Sequence, residues 1–231
     1  MIVLGVETAT ARAGCAIGGV EGVLASVQVT RNRRHAETLV PAIRFACESA
    51  QIALAEVRVI AVDIGPGLFT GLRVGMATAN GLAQGLGVPM IGLSSLDLLA
   101  FPLRHTSRII VAAVDARRGE LYTASYRATH GGVQRVSEPR LVTPEALAAE
   151  LQMLDERVLL VGDGAERNAP LFTALDHAEL AGIGAAHPTA DALVELAHPI
   201  AVREEYVTPI EIRPLYLRRS DAELNWERRG A

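Results

Sequence analysis

The chain contains no lysine; all 22 side chains counted as Lys+Arg are arginine. That excludes a Walker A lysine, a kinase-type strand lysine and a Schiff-base lysine. Cysteine is scarce too. Cys15 and Cys47 are too few for a disulfide framework, and their apolar surroundings read as those of small core residues in a reducing compartment. Aromatic residues make up only 4% of a chain that is 50% hydrophobic. Its core must therefore be Ala, Val, Leu and Ile, which suits helices on sheets better than an aromatic-rich sandwich. No apolar run approaches the ~20 residues of a membrane-spanning helix. The opening MIVLGVETAT has no basic region before its apolar run, so it reads as a strand and turn and not as a signal peptide. The expectation is a soluble, cytoplasmic protein with no membrane partner.

Other chemistries are missing as well. The 6 histidines are scattered, and no pair has the three- or four-residue separation that puts two imidazoles on one helix face, so no metal site is expected. There is no GxSxG elbow and no papain-like cysteine context, and no catalytic residue is assigned. GxGxxG is absent, which argues against a Rossmann dinucleotide site. The formal charge of -4 argues against a chain that grips nucleic acid by itself.

The most informative segment that is present is GPGLFTGLR, residues 65–73. An apolar strand pattern at 57–63 precedes it, and a helix face carrying Leu72, Met76, Ala79 and Leu82 follows. It is therefore a strand-to-helix turn. Gly65 and Gly67 can take positive φ, and the amides of residues 71–73 fall where a starting helix leaves its N–H groups unpaired. Phe69, between Leu68 and Thr70, puts apolar surface at a loop tip, which marks a surface that becomes covered.

The element order supplies the architecture. Strands at 2–6, 14–18 and 23–29 are followed by a helix over 37–50, with Pro41 placed in its first turn. Next come the strand at 57–63, a helix to 86, a strand at 88–93 and a helix to 100. A weaker version of this order restarts at 108–115, 120–127 and 133–136, with helices opening at Thr143 and over 166–175 and 189–197, and a strand at 158–161. The expected fold class is α/β: the duplicated actin/Hsp70/sugar-kinase-like, ribonuclease H-like (ASKHA) fold, two lobes with mixed sheets flanked by helices. The lobes are placed at residues 1–106 and 107–231, with a tail that can return to the first.

In that fold class a nucleotide lies between the lobes. Thr8 and Thr10, in the first hairpin, are the candidate phosphate-binding hydroxyls, although a hydroxyl pair in a turn is more often turn chemistry. The second-lobe counterpart reads DARRG, with two bulky arginines where a phosphate loop wants small residues. A small-molecule kinase or ATPase of the same fold is the alternative function, and DARRG argues against it.

The segments VETATARAGCAIG, RRHAETLVP, GPGLFTGLR, DARRGELY and PLYLRR together resemble the bacterial TsaB family, also called YeaZ, over nearly the whole chain. Glu7 and Leu68 depart from the aspartate and serine more usual there. The resemblance implies a non-catalytic subunit needed to make threonylcarbamoyladenosine at position 37 of tRNA. Its partners would be the catalytic paralogue TsaD, the ATPase TsaE and, when alone, a second copy of itself, with tRNA reached only through the complex. It carries no intrinsic cofactor, and ADP or ATP is the candidate ligand at the partner interface. The implied partner interface comprises Arg33, His35, Ala36, Glu37, Leu39, Ile43, Phe69, Thr70, Leu72, Arg73 and Val74.

Overall fold

The computed structural model describes residues 1–30 and 35–218. The first strands are β1 (Ile2–Glu7), β2 (Arg12–Gly19) and β3 (Gly22–Thr30), an antiparallel meander. Helix α1 (His35–Ala50) leads to β4 (Val57–Gly65), α2 (Phe69–Leu86), β5 (Met90–Ser94) and α3 (Ser95–Ala100). β4 and β5 join β1 in parallel, giving the sheet order β3-β2-β1-β4-β5.

The second half repeats this arrangement. It contains β6 (Ile109–Arg117), β7 (Glu120–Thr129), β8 (Gly132–Arg135), β9 (Arg140–Val142), α4 (Pro144–Gln152) and β10 (Val158–Val161). Then come α5 (Asp163–Arg167), α6 (Ala169–Phe172), β11 (Ala178–Leu180) and α7 (Ala190–Val202). Its sheet order is β8-β7-β6-β10-β11, antiparallel on one side of β6 and parallel on the other. Two mixed sheets of matching order, flanked by helices, form the duplicated α/β fold expected.

Strand alternation decides which helices cover which face. Leu4, Val6, Ile60 and Val62 point to one side of the first sheet and pack on Leu39, Ile43, Met76 and Ala79 of α1 and α2. Val3, Val59 and Ala61 point to the other side and meet Leu193, Val194 and Ala197 of α7. α7 therefore comes from late in the chain to close the first sheet. A Cβ on Gly5 would stand 2.9 Å from Val194, so a side chain there would push α7 off.

Three details differ from the sequence reading. Pro41 lies in the second turn of α1, because the helix is already formed at His35. The helix expected over 166–175 is two short helices, α5 and α6. They part at Asn168, whose side-chain amide donates to the Gly164 carbonyl at 2.8 Å, and Pro170 has no N–H to carry the first helix on. The short strands β9 and β11 carried no periodic pattern to reveal them. Among the described residues no helix is long and apolar enough to cross a membrane.

Candidate partner-docking surface

The GPGLFTGLR turn takes its shape from close backbone contact with the hairpin between β1 and β2. Leu68 N–H donates to the Ala9 carbonyl at 2.7 Å, and Thr8 Oγ1 donates to the Gly71 carbonyl at 2.8 Å. Cβ atoms on Gly67 and Gly71 would lie 2.2 and 2.1 Å from the Ala9 and Thr8 carbonyl oxygens. Only glycine allows α2 to approach the hairpin this closely. α2 begins at Phe69 and not at Gly71. Its unpaired first-turn amides are those of residues 69–71, two residues earlier than the sequence reading placed them, and Leu72 already donates to Leu68 at 2.9 Å.

The early start lifts Phe69 to the rim. Its ring is 42% exposed, the Arg73 guanidinium lies 3.7 Å over its centroid, and the Tyr216 ring stands 5.7 Å away, tilted by 34°. An aromatic pair capped by an arginine combines large contact area with a cation held on a π face. Beside it opens a cavity of about 750 Å³ lined by His35, Ala36, Phe69, Thr70, Val74 and Arg117, among others. Five of the expected interface residues thus share one groove. Arg117 closes it from the second lobe through the β6–β7 hairpin, where Arg117, Arg118 and Gly119 all have positive φ.

Other expected residues fall elsewhere. Leu39, Ile43 and Leu72 are 1%, 4% and 1% exposed. They are core residues of the lobe, so their side chains cannot supply the apolar part of an interface, and this corrects the sequence reading. The exposed large apolar residues of α1 are Val40 and Phe45, with Ala36 and Pro41 also exposed. Glu37 and Arg73 are exposed, while Arg33 lies outside the described residues. His35 is buried, and its Nε2 is 2.8 Å from the Thr10 carbonyl, which pins α1 to the first hairpin.

Thr8 and Thr10 are buried, Thr8 donating to Gly71 and Thr10 Oγ1 accepting from the Arg12 amide at 3.4 Å. As they stand, these hydroxyls do not form a phosphate cradle. In the second lobe Asp115 is held by Arg117 at 3.1 Å and Arg167 at 3.0 Å, so arginine side chains occupy the position of a second phosphate loop. Among the described residues no group of three or more His, Cys, Asp and Glu could hold a metal ion.

Sequence reasoning missed Tyr216, Arg117 and a buried carboxyl pair, Glu7 and Asp63. Asp63 had a visible signal, an aspartate closing an apolar strand. Burial raises both carboxyls above their ordinary values, Glu7 further through the charge of Asp63, and Asp63 is pushed up to about 7.

Known proteins resemble this chain in sequence and in fold. A family model described as "TsaD: tRNA N6-adenosine threonylcarbamoyltransferase" matches residues 22–226. The tRNA threonylcarbamoyladenosine biosynthesis protein TsaB of Bacillus subtilis (strain 168) is 30% identical, over 98% of this chain and 98% of its own length. An uncharacterized protein of Mycobacterium leprae (strain TN) is 37% identical over 96% of this chain, which spans only 56% of that longer relative. The crystal structure of YeaZ from Pseudomonas aeruginosa superposes with a TM-score of 0.80 at 28% identity, covering 94% of this chain and 99% of that one. Matching a TsaB protein almost from end to end and sharing the duplicated fold that YeaZ displays, the chain belongs to the TsaB (YeaZ) family.

Proposed function

We propose that this protein is a non-catalytic subunit of the machinery that makes N6-threonylcarbamoyladenosine at position 37 of tRNA. In this reading it binds and activates the catalytic TsaD subunit and recruits TsaE. The observation that carries the reading is the exposed Phe69–Tyr216–Arg73 cluster at the rim of the groove between the starts of α1 and α2. Aromatic residues and arginine are the side chains that dominate binding energy when a partner excludes water from them. Val40 and Phe45 extend apolar surface along α1. A surface of this kind can pair with a second copy or with a paralogue of the same fold, so the homodimer competes with the heterodimer. The arginine-filled hairpin at Asp115 supports a supporting role over phosphoryl transfer.

The test is size-exclusion chromatography with light scattering on the chain alone and mixed with TsaD from the same organism. The 1:1 complex formed by the wild type should be lost in Phe69→Glu and in Tyr216→Glu, with both variants still folded by circular dichroism. A complex retained by both would remove the cluster from the interface and overturn the reading.

A further inference from the structure

Glu7 and Asp63 lie side by side in the interior of the first lobe. Glu7 ends β1 and Asp63 lies two residues before the end of the neighbouring parallel strand β4, where Val6 stands opposite Val62. Alternation along each strand turns both toward the α7 face, and they are 0% and 2% exposed. Each carboxyl uses one oxygen to organise a turn. Glu7 Oε1 accepts the Ala9 N–H at 2.7 Å; Asp63 Oδ1 accepts the Gly65 N–H and the Ser95 hydroxyl, each at 2.7 Å. The remaining oxygens, Glu7 Oε2 and Asp63 Oδ2, are buried without a hydrogen-bond partner, on neighbouring strands whose register sets the two carboxyls side by side.

The surroundings do not supply enough positive charge for two anions. From β2, Arg12 faces Glu7, but it also bonds Thr30 at 3.3 Å and Gln28 at 3.2 Å on β3. From α3, Asp97 faces Asp63 and adds a like charge, although Arg135 of β8 donates to both its oxygens at 2.7 Å. On α7, Asp191 accepts from Gln28 at 2.9 Å, and His187, ahead of that helix, faces Asp163. His35 of α1 is engaged with Thr10, and the first titratable residue of α2, Arg73, lies over Phe69. Two adjacent carboxylates in such a place are costly, whereas one proton between them makes a charge-assisted O–H···O bond.

We propose that Glu7 and Asp63 share one proton at neutral pH, a clamp that holds the Ala9 and Gly65 turns together and so fixes the placement of the Phe69 loop. The connection is short, because Ala9 in turn accepts from Leu68, the residue that precedes Phe69. Deprotonation releases the proton to solvent and leaves two buried like charges, which push the turns apart. The clamp does not rest on the loop's role in docking; only an effect on partner binding would.

The sign follows from linkage. Both carboxyls are raised in the folded chain, above ordinary values of 4.5 and 3.8, so the folded state holds a proton that the unfolded chain releases. The pair releases its first proton through the value of Asp63, about 7, and the shared proton leaves only at higher pH, through the further raised value of Glu7. The stabilisation is therefore full below the ordinary range and declines as pH rises through the first step, and the clamp itself is lost on the second. The test is carbon-13 NMR of the side-chain carboxyls in the full chain across that range, with denaturant midpoints measured in parallel. One carboxyl titrating near neutrality supports the clamp, as does a midpoint that falls with rising pH in the wild type and not in Glu7→Gln, which keeps a donor on Asp63. Both carboxyls of the wild type titrating in the ordinary carboxylate range would overturn it, whether or not the variant folds.

Discussion

Two glycines of α2 differ in what a methyl group would meet. At Gly71 the Cβ would stand 2.1 Å from the Thr8 carbonyl oxygen, a backbone atom that cannot turn aside. At Gly81, on the exposed side of the same helix, nothing lies within 4 Å. Gly71→Ala should therefore destabilise the chain by about 1–3 kcal/mol or more, as overpacking does. Gly81→Ala should stabilise it by up to ~1 kcal/mol through helix propensity alone. Urea denaturation of the two variants checks the contrast. Equal effects would mean that the hairpin does not press on α2 as described. The sequence showed that glycine was needed in this turn, but not why. The reason is contact with residues 8 and 9, far away along the chain, and no local pattern encodes it.

A helix has one face for its own core, and α1 shows the consequence. The 3.6-residue period puts Leu39, Ile43, Ala46 and Cys47 on the buried face of α1, whereas Val40, equally apolar, is 60% exposed. Leu39 and Ile43 were also expected to face a partner, and a side chain buried in its own lobe cannot do both. Leu39→Ala should cost about 2–5 kcal/mol of stability, the usual loss for a buried leucine. Phe45→Ala, at a ring 61% exposed, should change stability by no more than about 0.5 kcal/mol while weakening association with the partner. Thermal denaturation of each variant alone, beside its binding measurement, separates the two roles. A large loss of stability in Phe45→Ala would place that ring in the core after all. Helix α2 was legible for the same periodic reason; β9 and β11, three residues each, are too short to show a period of two.

At the scale of the whole molecule, the repeated order of elements announced two similar lobes, since order is a property of sequence. How late segments return to early ones is not, beyond the expectation that the tail can reach the first lobe. α7 covers the first sheet, and the stretch after it runs back along the molecule. Val207 pairs with Met90 at the edge of β5, and Leu215 N–H donates to Ile64 at 2.7 Å. Tyr216 meets Phe69, and Arg218 bonds the Ala116 carbonyl at 2.8 Å and the Glu120 carboxylate in the second lobe. These contacts are single bonds and single rings spread along an extended segment, so no apolar pattern foretold them. They make the segment a strap that joins the turn carrying Phe69 to the hairpin carrying Arg117, the two walls of one groove. A strap of this kind should govern local opening more than global stability. Ending the chain after Arg213 should therefore accelerate amide hydrogen exchange at Leu68 and around residues 116–120, while amides in the middle of β1 and β6 exchange as before. The same two regions should respond, more weakly, to Arg218→Ala, which removes only the second-lobe contacts. If Leu68 and the hairpin exchange at wild-type rates in the shortened chain, the groove is held by each lobe alone, and Tyr216 is a passenger on a surface that Phe69 and Arg73 would form without it.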